Sequence, residues 1–245
     1  MKYFELKCIA YLKKDISYKN SYDVLSSYIN FSFLKDEELK KLHEKRDLKN
    51  YCFGNFYPPQ KDKIYKGGDT YTFSIRSLDE SFINKLSTLL RQNINNENFQ
   101  VIEVKKKVIN KFFINELITL TPTIVTVKKE DKKYDFWTTG KDGDILKLQK
   151  QLQDNLLKKY EEFYKQKLEP VQNFIQLMEL KNKTPQSIYF TKTLKDKRQI
   201  QVRLLGNKFR LLINEDEVSQ RLAFVALACG LGEKQSYAGG FCLWN

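Results

Sequence analysis

Hydrophobic and polar positions change period several times along this chain, and each change predicts an element. In "KYFELKCIAYL" Phe4, Leu6, Cys8, Ala10 and Leu12 alternate with Tyr3, Glu5, Lys7 and Tyr11, the period-two signature of a half-buried strand. "SYDVLSSYI" and "DEELKKLHEKR" follow as short helices, the second with carboxylates in its first turn and cations in its last, as the helix dipole favours. "NYCFGNFYP" reads as a strand stopped at Pro58-Pro59. "KIYKGGDTYTFSIRSL" reads as a hairpin turning at Gly67-Gly68, with Tyr71, Phe73 and Ile75 on one face. A helix from Asp79 to Gln92 and a strand through "FQVIEVKKKVI" complete a β-α-β-β-α-β order, which describes a ferredoxin-like domain.

The second half repeats that order. "INELITLTPTIVTVKK" supplies strand material, and between Asp144 and Leu168 the residues Ile145, Leu148, Leu152, Leu156, Tyr160 and Phe163 fall on one helical face. "SIYFTKT" reads as a strand and "IQVRLLGNKFRLLI" as a hairpin with Gly206-Asn207 as its two-residue turn. "EDEVSQRLAFVALAC" predicts a strongly apolar helix, and "GGFCLWN" a last short strand. The economical architecture is α+β, with two tandem ferredoxin-like (βαββαβ) domains over residues 1–115 and 116–245.

Charge narrows the partners. Lys plus Arg outnumber Asp plus Glu by 43 to 30, a formal net charge of +13 whose economical partner is a polyanion. An AT-rich genome that encodes many lysines would give the same excess, so charge alone does not choose. Aromatic residues, at 13%, add stacking surfaces that suit single-stranded nucleic acid better than a membrane. The four cysteines, Cys8, Cys52, Cys229 and Cys242, lie apart with no CxxC pair, and read as buried cytosolic thiols instead of a zinc site. The N-terminus runs straight into strand pattern with no signal-peptide core, and no stretch approaches about 18 apolar residues. The expectation is a cytoplasmic protein with no membrane partner, no metal and no cofactor.

Four of the ten glycines, Gly230, Gly232, Gly239 and Gly240, crowd into "CGLGEKQSYAGGF". This is either a helix C-cap at Gly230 followed by a flexible turn, or a loop whose N–H groups, with Lys234 and Ser236, approach a nucleic-acid backbone. It is not a Walker loop, because the Gly-Lys-Ser/Thr order is absent and the glycines follow a helix. If Gly206-Asn207 makes a hairpin turn, Arg203 lies directly across from Arg210. Facing like charges destabilise a strand pair unless an anion sits between them or both splay into water. Before that hairpin, "KNKTPQSIYFTKTLKDKRQ" carries Lys192 and Arg198 among six cations against Asp196 alone, beside Tyr189 and Phe190. That edge suits RNA, and a solvated surface would look similar. His43 is the chain's only histidine; taken alone, a helical histidine beside Leu42 reads as a boundary residue before it reads as a base.

"GLGEKQSYAGGF", placed after an apolar helix at the end of a tandem β-α-β-β-α-β chain, resembles the CRISPR-associated endoribonucleases that process precursor CRISPR RNA, the sixth Cas family of the RAMP superfamily. "LHEKRDLKNYCFGNFYP", "YTFSIRSLDESFI", "ITLTPTIVT" and "NLLKKYEEFY" resemble family segments in the family's order. One departure is Ala238, where the family tail has the first glycine of a Gly-x-Gly pair. The resemblance implies metal-independent cleavage of CRISPR repeat RNA, with His43 as base, Tyr28 and Lys49 completing a triad, and the glycine loop and basic hairpin holding RNA between the two halves. It also implies other Cas proteins, or a second copy of the chain, as possible partners. The rival reading is a non-catalytic RAMP subunit that binds RNA inside an interference complex.

Overall fold

The computed structural model describes residues 1–44, 49–92, 95–128, 134–140, 143–194 and 196–245, apart from the side chains of 42–44. Strand β1 (Lys2–Leu12) buries the alternating set Phe4 to Leu12, as its period requires. It is followed by β2 (Ile16–Ser17), α1 (Tyr18–Phe33), α2 (Glu37–Glu44), β3 (Tyr51–Phe53), β4 (Ile64–Tyr65), β5 (Thr70–Ser77), α3 (Glu80–Gln92) and β6 (Phe99–Asn110). Helix α1 starts where Ser17 accepts a hydrogen bond from the Asn20 N–H at 3.3 Å. The second half runs β7 (Glu116–Thr119), β8 (Thr126–Lys128), β9 (Tyr134–Phe136), α4 (Ile145–Tyr164), β10 (Ile175–Leu180), β11 (Gln186–Thr193), β12 (Gln199–Gly206), β13 (Phe209–Ile213), α5 (Glu217–Cys229) and β14 (Cys242–Trp244). Among the described residues no helix is long and apolar enough to cross a membrane.

The two main sheets have the orders β3-β5-β1-β6 and β10-β13-β7-β14, all antiparallel. Numbering the four strands of each half in chain order, both read second, third, first, fourth, so both halves are ferredoxin-like. One core packs α1 and α3 on the β1 face that carries Leu6 and Ala10. A second core holds α4, α5 and the other sheet, and takes in Tyr3 and Leu78 from the first half. Every α5 residue from Leu222 to Cys229 is buried, as expected of a helix apolar on all sides. The second sheet and α4 cover part of it and the first sheet covers the rest, with Tyr3 against Phe224 at 5.2 Å between ring centroids. Helix α5 is thus the apolar joint between the halves, and the glycine loop begins where it ends.

Two predicted hairpins do not form. Strand β12 pairs with β11, while β13 pairs with β10 and β7, so "IQVRLLGNKFRLLI" belongs to two different sheets. A tight hairpin turn of the favoured kind needs positive φ, and neither Gly206 nor Asn207 has it. Both are buried: the Thr123 N–H donates to the Asn207 carbonyl at 2.9 Å, and a Cβ on Gly206 would stand 2.3 Å from the Thr123 oxygen. Gly206 therefore serves close backbone approach, and the missing partner of β13 is β10, whose largely exposed "IQLMEL" carried no clear period. Likewise β4 pairs with β2 instead of β5, because the Gly67 N–H donates to Asp15 at 2.8 Å and draws the turn toward the end of β1.

Candidate nucleic-acid interface

Three segments meet on one side of the joint. Helix α1 presents Lys19, Asp23, Ser26 and Asn30 at i, i+4, i+7 and i+11, a single face. Thr191 of β11 donates to the Asp23 carboxylate through its N–H at 2.9 Å and its hydroxyl at 2.7 Å. The Lys19 ammonium lies 4.5 Å from the Tyr189 ring centroid. Ser26 donates its hydroxyl to the Ser236 carbonyl at 2.9 Å, and Phe190 stacks on Tyr237 with centroids 3.9 Å apart and planes 23° apart. The β11–β12 hairpin of the second half is thereby fastened to the first half and to the glycine loop.

Exposed cations border this junction. Arg203 lies across β11–β12 from Tyr189, donates to the Ser187 hydroxyl at 2.8 Å and is exposed. Lys192 is exposed on β11, and Lys234 is exposed on the loop. Arg198, near the hairpin tip, pairs with Asp196 at 2.7 Å while remaining largely exposed. The expected face-to-face pair of Arg203 and Arg210 is not present. Arg210 donates to Glu116 at 2.6 Å and to Glu179 at 3.2 Å, so neighbouring carboxylates answer its charge and it needs no bound anion.

The glycine loop turns several of its N–H groups inward. Gly230 donates to Ala226, Leu231 to Gly240, Glu233 to Ile124, Gly239 to Lys234 and Gly240 to Pro122, each within 3.0 Å. The glycines serve contact: a Cβ would lie 2.7 Å from the Ile124 oxygen at Gly232, 2.6 Å from the Glu233 oxygen at Gly239 and 1.8 Å from the Leu231 oxygen at Gly240. Gly230, with φ +76°, caps α5 and lies so near β3 that an added Cβ would stand 3.2 Å from the Cys52 Cβ. The loop's outward chemistry is carried by Lys234 and Ser236 on the short 3₁₀ turn at Gln235–Tyr237.

The three residues expected to form a triad fall in different settings. His43 is on α2, and its side chain lies outside the described residues. Lys49 is half-buried two residues before β3, the strand against which the loop rests. Tyr28 points into the first core, 5% exposed and edge-on to Phe99 at 4.9 Å; burial pushes its phenol pKa up. Two buried cations were not singled out from sequence. Arg76 of β5 pairs with Glu5 and reaches the Cys242 carbonyl. Lys159 of α4 is completely buried beneath the glycine loop. Its signal was present, since Lys159 continues the stripe of Leu152, Leu156 and Phe163 at helical spacing.

Residues 104–243 match the sequence family described as CRISPR associated protein Cas6, C-terminal. The chain is 33% identical over 241 residues to the CRISPR-associated endoribonuclease Cas6 2 of Methanocaldococcus jannaschii, a match that covers 94% of each protein. Its fold is similar to that of a CRISPR associated protein Cas6, with a TM-score of 0.70 and 23% identity over 99% of each chain. It is similar too to a RAMP protein binding different RNA substrates, with a TM-score of 0.71 and 17% identity over 99% of each chain.

Proposed function

Since the chain belongs to the Cas6 family, we propose that it cuts the repeat RNA of precursor CRISPR transcripts into mature guide RNAs. The observation that carries this reading is similarity to a Cas6 endoribonuclease along nearly the whole chain. The junction of α1, the β11–β12 hairpin and the glycine loop adds a fixed, cation-bordered surface of the kind a single strand requires.

In the proposed mechanism neutral His43 takes the proton from a ribose 2′-OH, and that oxygen attacks the adjacent phosphorus. The bond to the 5′-oxygen breaks, leaving a 2′,3′-cyclic phosphate and a 5′-OH. Lys49 stabilises the charge that gathers on the phosphoryl oxygens. The nucleophile belongs to the RNA itself, so no metal-activated water is needed. Support for His43 and Lys49 comes from chain order: α2 leads through Lys49 into β3, which lies against the loop. Tyr28 enters the proposal differently from its sequence-based expectation. Packed inside the core with a raised pKa, it steadies α1 from beneath instead of passing a proton. Arg203, Lys192, Arg198 and Lys234 hold RNA, and Arg210, neutralised by Glu116 and Glu179, is left out.

The test is a denaturing gel of labelled CRISPR repeat RNA incubated with the protein in EDTA. Cleavage at one site is expected, and a 2′-deoxy nucleotide just upstream of the cut should abolish it. His43→Ala should slow cleavage by about 10²–10⁴-fold with RNA affinity nearly kept. Wild-type-like turnover in that variant would remove the histidine from the mechanism. Binding without cleavage by the wild type would favour a non-catalytic RNA-binding subunit.

A further inference from the structure

The glycine loop is held from beneath by a side chain that lies far away in sequence. Lys159 stands on the buried stripe of α4, and its Nζ donates to the Gly230 carbonyl at 2.7 Å and the Gly232 carbonyl at 2.9 Å. Those carbonyls lie where α5 has ended and the backbone has turned through φ values of +76° and +81°. Oxygens beyond a helix end need donors, and here an amine from another helix supplies them. The groups around that amine are the thiols of Cys229 on α5, Cys52 on β3 and Cys242 on β14, with Glu233 on the loop. Glu233 is itself taken by Thr126, whose N–H and hydroxyl donate to it at 3.1 and 2.6 Å.

A buried amine is an expensive way to fill space, and an apolar side chain of similar length would avoid its desolvation cost. What an apolar side chain lacks is a pair of N–H donors. Burial lowers the Lys159 pKa to about 8, yet ammonium and neutral amine each have at least two N–H bonds, so both forms can hold both carbonyls. We infer that Lys159 is a positioning residue for RNA capture: it fixes the glycine loop so that Lys234 and Ser236 face the RNA side and Tyr237 stays stacked on Phe190. This rests on the RNA-cleavage reading above.

The thiols provide a test independent of RNA. Cys52, Cys229 and Cys242 surround Lys159, whereas Cys8 is buried in the first core on β1 and reports global unfolding. Wild type, Lys159→Met and Lys159→Gln are treated with iodoacetamide under native conditions, and each site is read by mass spectrometry. Affinity for fluorescein-labelled CRISPR repeat RNA is measured in parallel. Losing two charge-assisted bonds should raise alkylation of the three loop-side thiols in Lys159→Met by about tenfold or more and weaken RNA binding by a similar factor, with Cys8 unchanged. Lys159→Gln, which keeps an NH₂ group, should recover part of both. A joint rise at all four cysteines, no change at any, or a loosened loop with undiminished RNA affinity would each overturn the positioning role. Wild-type protein that binds no repeat RNA would overturn the functional reading, and with it the link to RNA, even if the thiol pattern is as expected.

Discussion

Arg76→Met should unfasten the C-terminal strand from the first sheet. Arg76 is 3% exposed and faces Glu5 directly in the β1–β5 register. Its Nε donates to Glu5 at 2.5 Å, its Nη1 donates to the Cys242 carbonyl of β14 at 2.7 Å, and its guanidinium lies 4.4 Å from the Phe241 ring centroid. Removing the guanidinium strands the Glu5 carboxylate, and breaking a buried pair from one side costs about 3–5 kcal/mol. The Cys242 carbonyl loses its partner as well, at about 1 kcal/mol or more. Two features temper these costs: Glu5 keeps 13% side-chain exposure, and Met refills some of the volume. A net loss of about 4 kcal/mol follows, equivalent to about 8 °C in Tm for a chain of this size.

Urea unfolding followed by circular dichroism measures that loss directly. The double variant Glu5→Gln/Arg76→Met removes the stranded charge and should regain about 2 kcal/mol over the single variant, a coupling expected only between groups in contact. If Arg76→Met stays within about 1 kcal/mol of wild type, or if the double variant is no more stable than the single, the buried pair is not what joins β14 to the first sheet.

Lys159 predicts a pH dependence of unusual sign. Its folded-state pKa of about 8 lies below the ordinary 10.5, so the folded protein releases this proton before the unfolded chain does. The burial penalty is therefore present in full below pH 8 and relieved as pH rises toward 10.5. Wild type should gain about 3 kcal/mol relative to Lys159→Met across that window, and a difference that stays flat in denaturation at pH 7, 8.5 and 10 would refute it. Two loop positions with positive φ should respond to very different extents. Gly240→Ala places a Cβ 1.8 Å from the Leu231 oxygen at φ +66°, and should cost about 3 kcal/mol or more in chemical denaturation. Ala238 already occupies φ +65° with its methyl buried. Its strain of about 1–2 kcal/mol is offset by methyl burial and by the unfolded-state entropy that a glycine would add, so Ala238→Gly should shift stability by less than about 1 kcal/mol.

What the sequence disclosed and what it hid divide along one physical line. Strand β1 and helix α5 were legible because each announces its burial in its own period: alternation on β1, an unbroken apolar run on α5. Repetition of the element order announced two ferredoxin-like halves. Arg76 was illegible for the complementary reason. In "YTFSIRSL" it occupies the alternate face from Tyr71, Phe73 and Ile75, which a lone sheet would leave in water. It is buried because β14 and Phe241 arrive from the other half, on the face of the sheet that also packs against α5. Gly206-Asn207 misled because a turn signature is local, whereas the Thr123 backbone that keeps the chain straight there is about 80 residues away.

The glycine loop shows that composition can identify a site while misstating its physics. Clustered glycines permit two opposite arrangements, N–H groups left open to an anion or backbones pressed together. Here the second holds: Gly230, Gly239 and Gly240 donate within the protein, and a Cβ at Gly232, Gly239 or Gly240 would strike a carbonyl oxygen. Such a loop uses its glycines for close packing. Its contribution is to be rigid, clamped by Lys159 below and by Ser26 and Phe190 at its sides. That is also why Ala238 is tolerated where the family resemblance led one to expect glycine. At Ala238 the demand is a left-handed turn, which Ala meets at modest cost; at Gly240 the demand is space, which no Cβ can meet.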